Sequence, residues 1–177
     1  MPLYSPEEDS FLLANSLKKY LKKVKDRQIK ILDIGAGSGI QAETCLKAGF
    51  KNVFASDINE ESVKFAESRG ISSVQSDLFS NIRCKFDLII FNPPYLPEDK
   101  FDRQKDTSGG KKGDETIIKF LKQAKSHLAE NGKILLLLSS LTSRERINKI
   151  LTNWKVEKLA EEKLFCEKLE VLLISAK

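Results

Sequence analysis

Apolar positions in this chain alternate between two rhythms. Short, nearly unbroken apolar runs at residues 29–34, 53–56, 86–91 and 133–139 read as buried strands, with a weaker one at 73–75. Between them the spacing lengthens to that of amphipathic helices. The first carries Phe11, Leu12, Leu17 and Leu21, and others are expected over 41–48, 60–69 and 143–153. A further helix is expected from Asp114 through Ile117, Leu121, Ala124 and Leu128, with Asn131-Gly132 as its stop. Ser5 reads as the N-cap of the first helix, Pro6 as its first helical residue and Glu8 as the close of a capping box, while Gly49 and Gly70 stop two others. Near the carboxyl end, 156–164 and 169–175 are strands joined through Phe165-Cys166-Glu167-Lys168, a hairpin connection with no room for a helix. Strands alternating with helices predict an α/β fold: a mostly parallel sheet of seven strands, covered by helices on both faces and ending in an antiparallel hairpin.

No internal repeat or interdomain linker interrupts this order, so residues 1–177 read as a single domain of ordinary size. Its N-terminal helix falls at about 5–22, and a polar, Pro- and Gly-rich stretch from Pro93 to Gly113 reads as a long loop of the kind that carries function. Hydrophobic residues make up 41% and charged residues 31%, which is globular. A formal charge of +5 permits nucleic-acid contact without demanding it, and a lysine-rich solvated surface is the plainer reading. Cys45, Cys84 and Cys166 are scattered without a C-x-x-C pair, which argues against a disulfide framework or metal site and for small apolar packing in a reducing compartment. Met1 to Ser10 lacks the pattern of a secretory signal, and the apolar run Ile134 to Leu138 is far too short to span a bilayer, so a soluble cytoplasmic protein is expected.

Two places carry chemistry. Asp33-Ile34-Gly35-Ala36-Gly37-Ser38-Gly39 follows the first strand and opens a helix, so a ligand can lie against bare backbone there. Alone, the glycines Gly35, Gly37 and Gly39 are as consistent with a tight turn. However, Asp57 ends the second strand and Asp77 follows the third, so three acids are expected in one crevice, offering acceptors to an amine, a ribose and an adenine amino group. That set suits S-adenosylmethionine better than a dinucleotide, whose pyrophosphate would be repelled by Asp33. The second place is Asn92-Pro93-Pro94-Tyr95, closing the fourth strand. Its prolines remove two N–H donors, which leaves carbonyl acceptors and an aromatic ring. Such a wall fits a planar group with two N–H donors, a carboxamide or an exocyclic base amine. The lone histidine, His127, and Trp154 read as structural, Phe101 as a cap on the pocket or a buried residue, and Lys111-Lys112 as a solvated face.

Taken in order, Tyr4-Ser5-Pro6-Glu7-Glu8-Asp9-Ser10-Phe11, the Asp33–Gly39 loop, Asp57-Ile58, Asp77-Leu78, Asn92 to Tyr95 and Gly109-Gly110-Lys111-Lys112-Gly113 resemble the HemK/PrmC-related class I methyltransferases nearly end to end. The similarity is greatest to their small archaeal and eukaryotic branch, which has no separate N-terminal substrate domain. The resemblance implies a Rossmann-like sheet, S-adenosyl-L-methionine as cofactor and N5-methylation of the glutamine in the GGQ loop of a class I translation release factor. It assigns Ser10, Asp33, Gly35, Gly37, Gly39, Asp57, Ile58, Asp77, Leu78 and Asn92 to the cofactor, and Asn92, Pro93, Pro94 and Tyr95 to the target amide. It also implies a small zinc-containing activator that adds a strand at the edge Ile71–Gln75, where Ile71 and Val74 would otherwise be exposed. The chain departs from the pattern where Asp106-Thr107-Ser108 replaces an aromatic before the paired glycines, which bears on substrate contacts of the loop. The alternatives are an adenine-N6 or cytosine-N4 methyltransferase, for whose flanking-base recognition only Pro93–Gly113 is long enough, and a non-catalytic cofactor-binding scaffold.

Overall fold

A computed structural model describes residues 6–96, 109–110 and 112–177. Chain order is α1 (Glu8–Leu21), β1 (Ile31–Ile34), α2 (Ile40–Lys47), β2 (Val53–Asp57), α3 (Glu60–Ser68), β3 (Ser72–Gln75), β4 (Phe86–Phe91), α4 (Glu115–Ala124), a 3-10 turn (Lys125–His127), β5 (Leu128–Ser139), α5 (Arg144–Leu151), β6 (Trp154–Lys163) and β7 (Lys168–Ala176). The strands form one seven-stranded sheet in the order β3-β2-β1-β4-β5-β7-β6. The first five pair in parallel, while β7 runs antiparallel to both β5 and β6. The hairpin therefore folds its last strand inward, between β5 and β6.

The continuous apolar runs are explained by burial on both faces. Along β4, Ile89 and Phe91 enter one core while Leu88 and Ile90 enter the other. Ile134, Leu136 and Leu138 of β5 join the first, and Leu135 and Leu137 the second. Helices α4 and α5 cover the first face with Ile117, Phe120, Leu121 and Ile147; α1, α2 and α3 cover the second with Leu13, Leu17, Ala42, Cys45 and Ala66. Trp154 is buried at the start of β6, and His127 stacks on Phe79 with ring centroids 4.3 Å apart. Among the described residues no helix is long and apolar enough to cross a membrane.

Several expectations need correction. Helix α1 begins at Glu8 with Glu7 in the N-cap position, so Pro6 precedes the helix; Ser5 lies outside the described residues. Leu128 belongs to β5 rather than to the helix before it, and Asn131-Gly132 is an irregularity inside that strand. Asn131 takes a φ of 63°, the pairing of β5 with β4 slips between Phe86 and Leu88, and a Cβ on Gly132 would lie 2.9 Å from the Phe86 carbonyl oxygen. Tertiary pairing there overrides a local helix stop. Cys84 and Cys166 are exposed, and only Cys45 packs in the core, because the other two fall in connections. Ile71 is buried as well, since it sits just before β3 and packs on the α1–α3 side.

Candidate active site

The order of strands reverses between β1 and β4, which have their neighbours on opposite sides. At the carboxyl ends of these two strands the connecting loops diverge and leave a crevice, the usual ligand site of open parallel sheets. A cleft of about 220 Å³ lies there. One wall is the loop after β1 with the end of β2, the other the turn after β4, and the first turn of α1 closes the third side.

The β1–β2 wall is held by backbone donors on carboxylates. Gly35 turns the chain with a φ of 63°, in the left-handed region where a side chain would be strained, beside the Phe91 ring. Asp57 accepts from the N–H of Gly37 and of Asn59, each at 2.8 Å, which locks the glycine loop to the end of β2. Asp33 is fully buried, and its carboxylate accepts from the N–H of Ala42 at 3.1 Å in the first turn of α2. Burial pushes the Asp33 carboxyl up to about 7; Asp57 adds to this more weakly, and the Ala42 N–H opposes it. A cation placed beside Asp33 would restore the ionised form.

The β4 wall is held from far along the chain. The Asn92 side-chain nitrogen donates to Asp9 Oδ2 at 3.1 Å and approaches Ser10 Oγ at 3.4 Å. The Tyr95 hydroxyl reaches the same Asp9 oxygen at 3.5 Å, and Thr142 donates to the Tyr95 carbonyl at 3.0 Å. Gly109 donates to the Leu96 carbonyl at 2.8 Å; a Cβ on it would lie 2.7 Å from the Pro94 carbonyl oxygen and closer still to that of Gly113. Beneath the cleft, Gln41 donates to the Ser10 carbonyl at 3.0 Å, tying α1 to α2.

Of the residues expected at the site, Ser10, Asp33, Gly35, Gly37, Asp57, Ile58, Asn92, Pro93, Pro94 and Tyr95 all line the cleft. Gly39 does not line it; with a φ of 74° it stands at the N-cap of α2. Asp77 and Leu78 lie outside the lining as well. Asp77 is half-exposed and ion-paired with Lys119, and Leu78 occupies a turn at a φ of 51°, so of the three acids expected here Asp33 and Asp57 line the cleft, joined by Glu7 and Asp9 from the start of α1. Phe101 and Asp106-Thr107-Ser108 fall outside the described residues. Asp9 has no counterpart among the sequence expectations. It stood inside the N-terminal signature, but nothing in the pattern of α1 tells a cleft-facing acid from a solvated one in the first turn.

The sequence profile described as Methyltransferase small domain matches residues 8–166. The chain belongs to that family. This methyltransferase is 39% identical to a protein of Methanocaldococcus jannaschii described as a putative protein N5-glutamine methyltransferase, over 96% of this chain and 90% of that one. Among solved structures it superposes on the E. cuniculi Mtq2–Trm112 complex, described as responsible for methylation of the eRF1 translation termination factor, with a TM-score of 0.79 and 23% identity over the whole of both chains. It also superposes on a T. thermophilus 16S rRNA N2 G1207 methyltransferase in complex with AdoMet and guanosine, with a TM-score of 0.70 and 19% identity, over 98% of this chain and 44% of that one. The seven-stranded sheet is thus the class I methyltransferase fold, and the cofactor of this methyltransferase is S-adenosyl-L-methionine.

Proposed function

We propose that the chain transfers a methyl group to the side-chain nitrogen of a protein glutamine, N5, in the GGQ loop of a class I translation release factor. The observation that carries this reading is the turn Asn92-Pro93-Pro94-Tyr95, whose prolines offer acceptors alone and whose Asn92 and Tyr95 donors are engaged by Asp9, lining one cleft with Asp33 and Asp57. Its support from relatives is the 39% identity to a protein described as a putative N5-glutamine methyltransferase. Translation is the setting this substrate implies, in the cytoplasm.

The donor set fits the cofactor. Asp33 would hold its ammonium, and that cation would draw a carboxyl now pushed up to about 7 back to its ionised form. Asp57 would take the ribose hydroxyls, with the bare backbone of Gly35 and Gly37 against the ligand and Ser10 and Ile58 at its borders. The Asp77-Leu78 turn, beyond the lined cleft, would receive the adenine end. Bound S-adenosyl-L-methionine supplies a methyl group already activated on a sulfonium.

The remaining task is to present a poor nucleophile. A carboxamide nitrogen has its lone pair delocalised into its carbonyl, so its two hydrogens must be gripped and positive charge on it stabilised. Asn92 Oδ1 and the Pro93 carbonyl would accept those hydrogens, and the prolines offer no N–H in competition. Tyr95 would cover the amide plane and keep water out. As the new C–N bond forms, one amide proton is displaced and leaves to water, so no protein base is required. His127, stacked on Phe79, does not line the cleft.

β3 ends the sheet, and along it Ser72, Val74 and Gln75 are exposed, with Val74 at 37%. An apolar side chain on an unpaired edge suits strand addition, and a small zinc-containing activator is the proposed partner there. The test of function supplies labelled S-adenosylmethionine with a release factor, its GGQ-to-GGE variant, and single- and double-stranded DNA. Incorporation into the release factor alone, absent from the GGE variant, is expected; labelling of DNA instead would replace the amide with a base amine.

A further inference from the structure

The glutamine reading rests on which end of the Asn92 amide meets the substrate, and the chain contains a device that decides it. Asp9 is 6% exposed in the first turn of α1, and its Oδ2 accepts from Asn92 Nδ2 at 3.1 Å and from the Tyr95 hydroxyl at 3.5 Å. Asn92 Oδ1, in contrast, is buried and has no hydrogen-bond partner among the described residues. A primary amide has nearly the same shape turned either way, so packing alone selects its orientation weakly. Ser10 Oγ, 3.4 Å from Asn92 Nδ2, selects nothing, because a hydroxyl serves as donor or acceptor. A carboxylate only accepts. With Nδ2 toward Asp9 the contact is a charge-assisted hydrogen bond; turned round, two acceptors would face each other with no proton between them.

We propose that Asp9 is a positioning residue for methyl transfer: it fixes the Asn92 amide so that Oδ1 is presented as the acceptor for the target N–H, and it steadies Tyr95 through the same oxygen. Without it the amide turns over and offers an NH2 group to another NH2 group. This role deepens the glutamine reading and depends on it.

The test compares Asp9→Ala, Asp9→Asn, Asn92→Asp and the exchanged pair Asp9→Asn/Asn92→Asp, measuring transfer to the release factor, cofactor affinity by calorimetry and thermal unfolding. Asp9→Ala should lower kcat by about 10–100-fold, the scale of a misplaced reacting group, with cofactor Kd within about threefold. Asp9→Asn, which keeps the shape and one acceptor, should lose less. Asn92→Asp sets two carboxylates against each other and should be severely impaired. The exchanged pair restores a donor opposite an acceptor and leaves an oxygen for the target, so it should recover at least about tenfold over Asn92→Asp, the discrimination expected of a charge-assisted contact. Wild-type kcat in Asp9→Ala, or an exchanged pair no better than Asn92→Asp, overturns the proposal. If the wild-type chain binds cofactor yet leaves the release factor unlabelled, the substrate reading fails instead. The Asn92 side-chain N–H exchange by NMR then decides the orientation: slow in the wild type and faster in Asp9→Ala sustains it, and equal rates overturn it.

Discussion

On the β1–β2 side of the cleft, each functional carboxylate is satisfied by backbone N–H groups of its own neighbourhood: Asp33 by Ala42, Asp57 by Gly37 and Asn59. On the β4 side the groups are held from the far end of the chain and from the loop after it. Asp9 reaches Asn92 and Tyr95, Thr142 ties the Tyr95 backbone, and Gly109 nests against Pro94. The first wall is built from the turns after two neighbouring strands, joined over twenty positions of chain, while the second draws on groups up to 86 positions away. A turn with two prolines has few donors with which to anchor itself, so its anchors come from elsewhere. Cofactor binding and amide presentation are thus separable, and substitutions should split them.

The widest split is expected at Asn92. Asn92→Ala removes the presented acceptor and should lower methyl transfer by about 10²–10³-fold, the cost of deleting one aimed hydrogen-bonding group, with cofactor affinity within an order of magnitude. Single-turnover transfer beside calorimetry checks this, and unchanged turnover breaks the assignment. Gly109→Ala comes next. Its methyl group would press on the Gly113 carbonyl and then on that of Pro94, shifting the clamp from behind, and turnover should fall by about tenfold or more at unchanged cofactor affinity.

Asp33→Asn tests the other wall with the opposite sign on stability. Burial pushes the folded-state carboxyl from its ordinary 3.8 up to about 7, so the folded protein holds the extra proton between those values. Its contribution therefore favours folding at acid pH and is lost as pH rises toward 7. Asp33→Asn should raise the Tm of the cofactor-free protein most at pH 8, less at pH 5 and hardly at all below about pH 4, while cofactor affinity at pH 8 drops by about tenfold or more. For the wild type, affinity should climb with pH through 7 and level off above it; a flat profile would remove Asp33 from the ammonium site. The smallest effect belongs to Asp77→Ala. Asp77 is half-exposed and paired with Lys119, so cofactor affinity should weaken by about threefold to tenfold and stability by less than about 1 kcal/mol. A loss as large as that of Asp33→Asn would bring the third acid into the site after all.

The contrast between the walls also explains what could be read ahead of the structure. Asp33, Gly35, Gly37 and Asp57 were legible because a strand followed by glycines and a helix has one way to turn, and an acid at a strand end has one crevice to face. Asn92 to Tyr95 was legible as chemistry, since two prolines between an amide and an aromatic remove two N–H donors and leave their carbonyls as acceptors. Its supports were not: Asp9 in an acidic helix start looks like any dipole-complementing residue. Asp77 was legible as an acid after a strand, but its setting was not: the chain turns at Leu78 and pairs the acid with Lys119 beyond the lined cleft.

The sequence by itself determined the alternation of strands and helices, the two-sided burial of the sheet, the hairpin at its end and the two patches of site chemistry, because these depend on periodicity, glycine and proline, which act over a few residues. Only the tertiary structure decided that β7 lies between β5 and β6, that Leu128 joins a strand, that Ile71 is buried, and that Asp9 closes on Asn92 across 83 positions of chain. Those outcomes depend on which distant groups share one small volume, and a linear pattern carries no distance between residues that meet only when the sheet has formed.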